Sequence, residues 1–222
     1  VTGTAIGRFY FGSEPSFTVP DHELISLWEF PAFILLGVAC AVVAIGFMRG
    51  IFLMDGAVAR TPIPKWLQPA VGGIILGLIA LQVPEVLGVG FLTADAALHG
   101  SIALELLLVL IIAKMAAVAI SMGFRFGGGV FSPSLVIGAM LGGAYGFAIS
   151  ALMPTLSSGP GAYTIVGMGA VAAAVLGAPI STTLIIFEMT GDYALTMAVM
   201  LAVVVASVIT QNFSGQSFFA KQ

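Results

Sequence analysis

Apolar residues in this chain run in long blocks, without the alternation of a half-buried strand or the one-sided stripe of a surface helix. The blocks Pro31 to Met48, Pro69 to Val83, Ile102 to Met122 and Leu195 to Ile209 approach bilayer length, for which a helix needs about 20 residues. Between them lie polar and helix-breaking residues. The pattern predicts helices from Phe30 to about Leu53, Ala70 to Val83, Ile102 to Met122, Tyr163 to Leu176, Ile180 to Met189 and Ala194 to Thr210. A further helix runs from the glycine-rich segment at 127–129 to Ala151. Val1 to Phe11 reads as a helix end, Gly12 to Glu29 as a loop, Thr93 to Gly100 as a short piece, and the tail after Thr210 as one short helix. Breaks fall at Pro84, at 153–162 and at Gly177-Ala178-Pro179, so several helices are too short to span. The expected fold class is all-α, a polytopic membrane protein with broken and tilted helices.

Composition supports that reading. Mean hydropathy is +1.14, and only 8% of residues are charged, against about 25% in soluble domains. A net charge of -3 without any basic run argues against a nucleic-acid partner. The single cysteine, Cys40, excludes an internal disulfide framework and reads as a small core residue. The chain starts at Val1 with a piece too short to span and without signal-peptide features, so an upstream part is expected to be missing. Arg49, Arg60 and Lys65, opposed by Asp55, mark residues 49–65 as a cytoplasmic connection. The acidic stretch 12–29, one span away, is then expected outside.

The segment "RFGGGVFSPSLVIGAMLGGAYG" (Arg125 to Gly146) places three glycines directly before a helix start. A helix N-terminus exposes unpaired N–H groups and carries roughly half a positive charge, which is costly in hydrocarbon unless something accepts those bonds. An anion is one such acceptor. Gly127, Gly128 and Gly129 let the backbone bend, and Pro133 in the first turn gives up an N–H that lacks a helical acceptor anyway. The N–H groups near Val130 and Phe131 are therefore expected to face an anion, held without a fixed cationic side chain. The rival reading is helix packing. It fits the small-residue spacing of Gly138, Gly142 and Gly146, and of Gly73 with Gly77.

The "GGGVFSPSLVIGAMLGGAYG" stretch resembles the Gly-x-Phe-x-Pro anion-binding segment of the CLC family of chloride channels and chloride/proton antiporters. "GMGAVAAAVLGAPISTTLIIFEMTGDYALTMAVMLAVVVASVITQ" (Gly167 to Gln211) and "QPAVGGIILGLIALQVPEVLGVG" (Gln68 to Gly90) are similar to later and earlier parts of the same domain. The resemblance implies that residues 1–222 form the C-terminal half of a CLC-type membrane domain, one half of an inverted repeat whose N-terminal half is absent. It implies that Val130 and Phe131 donate backbone N–H groups to chloride, that Gly129 and Pro133 shape the turn, and that Leu176 lines the same region. Phe219 takes the place where many members carry a tyrosine hydroxyl, with Phe218 as its alternative.

The resemblance further implies a homodimer formed through 1–11, 180–189 and 195–208. Multi-pass insertion in a bacterial inner membrane or its equivalent is expected, with no cofactor beyond the transported ion. Channel and exchanger readings both stand, with protons as a second ion in the latter. The family's gating and proton-transfer glutamates belong to the other half. A fluoride-selective relative and a truncated half serving as a membrane interaction partner are the alternatives.

Remaining polar residues add little. Lys114, inside a helix, either tunes the anion pathway or snorkels or pairs with a carboxylate or helix C-terminus, the structural role being favoured. Glu188, with Asp192 four residues on, reads as interfacial in preference to a proton relay, and Glu105 as a helix-start carboxylate. Arg125 either raises the local anion concentration or snorkels. His22 and His99 are far apart and no Ser-His-Asp set is present, so an enzyme is not expected.

Overall fold

The computed structural model describes Phe9, Tyr10, Gly12 and residues 29–154, 157–191 and 193–214. Its α-helices are α1 (Phe30–Ala59), α2 (Gln68–Gln82), α3 (Phe91–Leu98), α4 (Leu104–Gly123), α5 (Phe131–Leu152), α6 (Gly159–Leu176), α7 (Pro179–Thr190) and α8 (Tyr193–Ser214). A 3-10 turn, Pro84–Val86, follows α2. Five helices, α1, α4, α5, α6 and α8, are long and apolar enough to cross a membrane, whereas α2 and α7 are shorter. The expected all-α, multi-pass membrane architecture with broken helices is what the chain forms.

Several boundaries differ from expectation, α8 for one running past Thr210 to Ser214. Helix α1 runs on to Ala59, so Arg49 and Asp55 lie on the helix and not in a connection. Both are exposed, and nothing before Thr61-Pro62 stops the helix. At 30 residues it is about 45 Å long, more than the roughly 30 Å hydrocarbon thickness, so it tilts or projects. Helix α6 starts at Gly159 because Pro160, in its first turn, favours a helix start. Tyr193, expected in a turn, opens α8.

Helix α6 is the centre of the bundle: 78% of its span is buried, against 39% for α1. It can pack so tightly because its partner helix has no side chains in the way. A methyl group at Gly138 would fall on the carbonyl oxygen of Gly167, and one at Gly142 on that of Tyr163. One at Gly146 would sit 2.7 Å from Pro160 Cα. The packing role expected for these three glycines is met. Along α5 these contacts advance by about one turn while the partner residues on α6 recede, so the two helices run antiparallel. The glycine of α2 that permits close approach is Gly72, where a Cβ would lie 2.6 Å from Phe124 Cβ. Gly77 faces open space, so the expected Gly73/Gly77 pair is not the contact.

Helix α4 ends in a Schellman motif. Phe126 N–H donates to Ser121 O at 2.9 Å and Arg125 N–H to Met122 O at 3.1 Å. The left-handed residue is Arg125, at φ 63°, where glycine is usual. Its exposed side chain points away from the core while Phe126 packs towards Gly73, at 3.5 Å from a Cβ built there. This turn aims the backbone of 127–129 at the start of α5.

Candidate functional site

The α5 start is open. Val130 is its N-cap residue, 2% exposed, and no side chain caps the helix. The first helical bond is Ser134 N–H to Val130 O at 3.1 Å. The N–H groups of Val130, Phe131 and Ser132 have no acceptor among the described residues, and Pro133 has no N–H. Ser132 Oγ is buried without a partner as well, while Ser134 Oγ donates back to Phe131 O at 2.6 Å. Three backbone donors and a hydroxyl thus stand unpaired within one turn, where a helix dipole leaves partial positive charge.

Gly127, Gly128 and Gly129 are exposed, and a Cβ on any of them would meet nothing within 4 Å. That removes close helix packing among the described residues as their explanation. None of the three takes a positive φ. What they provide is bare backbone in front of the helix start.

Leu176 is the last residue of α6, the helix against which α5 packs. Gly138 meets Gly167 across the α5–α6 contact. Carried back at the same spacing, that register would pair Ser134 with Val171 one turn away and Val130 with Val175 two turns away. Leu176 closes α6 there, and the left-handed Gly177 (φ 69°) ends the helix. Gly129, Val130, Phe131 and Pro133 are contiguous at this helix start, and Leu176 ends the antiparallel neighbour α6. Phe219 and Phe218 lie outside the described residues.

The start of α6 makes the contrast. Its N-cap N–H is taken up internally by Glu29, which is 3% exposed and precedes α1. Ser158 N–H donates to Glu29 Oε1 at 2.6 Å, Ser158 Oγ to Oε2, and Tyr163 OH to Oε1 at 2.9 Å. Gly159 N–H donates to Ser157 Oγ at 3.2 Å. Tyr145 OH donates to Ala32 O at 3.0 Å, so the starts of α1 and α6 and the middle of α5 are tied into one corner. The sequence reading places Glu29 at the end of an outer loop and misses this cluster. The Ser-Ser-Gly-Pro run at 157–160 is the signal for it, being a helix-start pattern.

Lys114 does not snorkel, and among the described residues it meets no carboxylate. It is 5% exposed, and its Nζ donates to Val86 O at 2.7 Å and Gly88 O at 2.9 Å. Those carbonyls close the 3-10 turn, so the helix-C-terminus option is the nearest to what is observed. Glu188 is exposed in the last turn of α7, and His99 lies 3.6 Å from Asp95 Oδ1 at the end of α3.

The comparisons agree with this architecture. Residues 1–211 match the family described as voltage gated chloride channel. A ClcB-like protein of Ralstonia nicotianae is 35% identical over 221 residues, covering 100% of this chain and 52% of the relative. CLC-e of Arabidopsis thaliana, named a chloride channel protein, is 37% identical over 235 residues, covering 98% of this chain and 33% of its own length. Among solved structures, that of a slow cyanobacterial Cl-/H+ antiporter superposes with a TM-score of 0.81 at 24% identity, over 98% of this chain and 52% of that one. The chain spans about half or less of the length of these relatives. It is a multi-pass membrane chain of the CLC family, the voltage-gated chloride channels.

Proposed function

We propose that the protein containing this chain carries chloride across a membrane, and that the start of α5 is where the ion is held. The carrying observation is the set of unpaired N–H groups at Val130, Phe131 and Ser132, set in a helix start that no side chain caps. Neutral donors suit transport. Each hydrogen bond to an ion contributes about 1.5–3 kcal/mol, so a few hold chloride, while the absence of a fixed counter-charge lets it leave. Gly129 and Pro133 shape the approach, Leu176 supplies an apolar wall, and Phe219 replaces a hydroxyl donor with a ring edge. The other half of the domain, expected from the relatives' length, completes the pathway.

The protein acts as a homodimer in this reading. Ile180, Leu184, Met197, Met200, Val204 and Val208 are all more than half exposed on α7 and α8. Between the two helices lies an apolar groove of about 410 Å³ lined by Leu184, Phe187 and Met200 among others. Residues 1–11 of the expected interface fall mostly outside the described residues.

Reconstitution tests the function. The natural gene product that contains this chain is placed in liposomes, and chloride efflux and proton movement are recorded together. Efflux is expected, and stoichiometric proton uptake assigns exchange whereas its absence assigns a channel. A folded protein that passes no chloride contradicts the proposal.

A further inference from the structure

We infer that Ser132 is a direct ligand of the transported anion and sets its preference among halides. This rests on the reading of the α5 start as the chloride site. The Oγ of Ser132 is buried and has no hydrogen-bond partner among the described residues. A hydroxyl sealed from water without a partner is disfavoured, and such a group calls for an acceptor or donor that the protein itself does not supply. Three other buried side-chain atoms share that state, and each differs from Ser132. Gln68 already uses its amide nitrogen on Ile63 O. Ser207 and Thr210 lie well inside α8, where the backbone N–H groups belong to the helix ladder.

Ser132 alone stands among open donors. It is the second residue of α5, and its own N–H and those of Val130 and Phe131 have no acceptor among the described residues. Bonds from Cα to Cβ on a helix tilt towards the N-terminus, so the carbon that carries this hydroxyl leans to the end where those N–H groups open. Its neighbour Ser134 is different, because its hydroxyl is spent on Phe131 O at 2.6 Å. One O–H with the adjacent N–H groups makes a donor cluster for a single monovalent anion. An O–H donated to an ion gives a short, charge-assisted bond, which rewards a small, charge-dense halide over a large diffuse one.

The experiment is titration calorimetry on the purified natural gene product with sodium chloride and sodium iodide. Wild type, Ser132→Ala and Ser132→Cys are compared. Cysteine fills nearly the same space with a weak donor, so it separates donation from packing. Chloride affinity is expected to fall about tenfold or more in both variants, the loss of one hydrogen bond to an ion, and iodide affinity to fall less. Thermal unfolding without halide should stay near wild type. Wild-type chloride binding with unchanged affinity and unchanged chloride-to-iodide ratio in both variants overturns the role of Ser132 and leaves the site standing. Loss in Ser132→Ala that Ser132→Cys fully restores also overturns it, in favour of packing. Absence of chloride binding in folded wild type overturns the site and this assignment together.

Discussion

Glu29 accepts the N–H of Ser158 at 2.6 Å across 129 residues of sequence, so the start of α6 is closed by a carboxylate from the residue before α1. The chain thereby treats two helix starts in opposite ways. One receives an internal anion, and the start of α5 keeps its donors open. Both follow from the same rule that unpaired N–H groups inside a membrane need an acceptor.

Removing that carboxylate should loosen the fold. Glu29→Ala leaves the Ser158 N–H, the Ser158 hydroxyl and the Tyr163 hydroxyl without their acceptor. The expected loss is at least about 2 kcal/mol, since buried unsatisfied groups cost about 1–3 kcal/mol each. Glu29→Gln, which keeps one oxygen, should lose less. Thermal unfolding in detergent reads both, and an unchanged midpoint for Glu29→Ala would contradict the role given to the cluster.

The glycines divide into two kinds by what a methyl group would meet. Gly142→Ala drives a carbon onto the backbone of Tyr163, which cannot give way without opening the α5–α6 contact. Overpacking of this sort costs about 1–3 kcal/mol or more. Gly128→Ala meets nothing within 4 Å and should change stability by no more than about 0.5 kcal/mol. Comparing the unfolding midpoints of the two variants checks this, and equal losses would remove the distinction.

Much of this was legible in the sequence, for physical reasons. Long apolar blocks and their Gly/Pro breaks determine where helices can exist, so α4, α5 and α7 fall within about two residues of expectation. The helix start at Phe131 is equally visible, because glycine before and proline after are local signals. What escaped was decided by tertiary contact. Arg49 looks like a loop marker by charge but rides on the exposed face of α1. Glu29 looks like one more acidic loop residue until α6 is folded against it. Gly72 and Gly73 are indistinguishable in a sequence, and only the position of Phe124 selects the first. The unpaired hydroxyl of Ser132 is likewise invisible until the neighbouring Ser134 is seen to be occupied.

Lys114 is read here as a brace and not as part of the ion path. Lys114→Met leaves the carbonyls of Val86 and Gly88 without their donor. Stability should drop by about 1–3 kcal/mol, while chloride affinity in the folded fraction stays within about threefold, about 0.6 kcal/mol or less. Unfolding together with calorimetry separates the two effects. A large fall in affinity without loss of stability would move Lys114 into the anion's surroundings.

The central claim is that backbone N–H groups at the start of α5 hold the anion. Phe131→Pro tests it poorly, because Val130 sits at φ -90° and ψ -12° and a following proline disfavours that conformation. Replacing Phe131 with its α-hydroxy acid is cleaner: it exchanges one N–H for an oxygen and keeps the side chain. Chloride binding measured by calorimetry on that ester variant of the natural gene product should weaken by about tenfold or more, the loss of one hydrogen bond to an ion. Unchanged affinity in a correctly folded ester variant would show that the anion is held elsewhere.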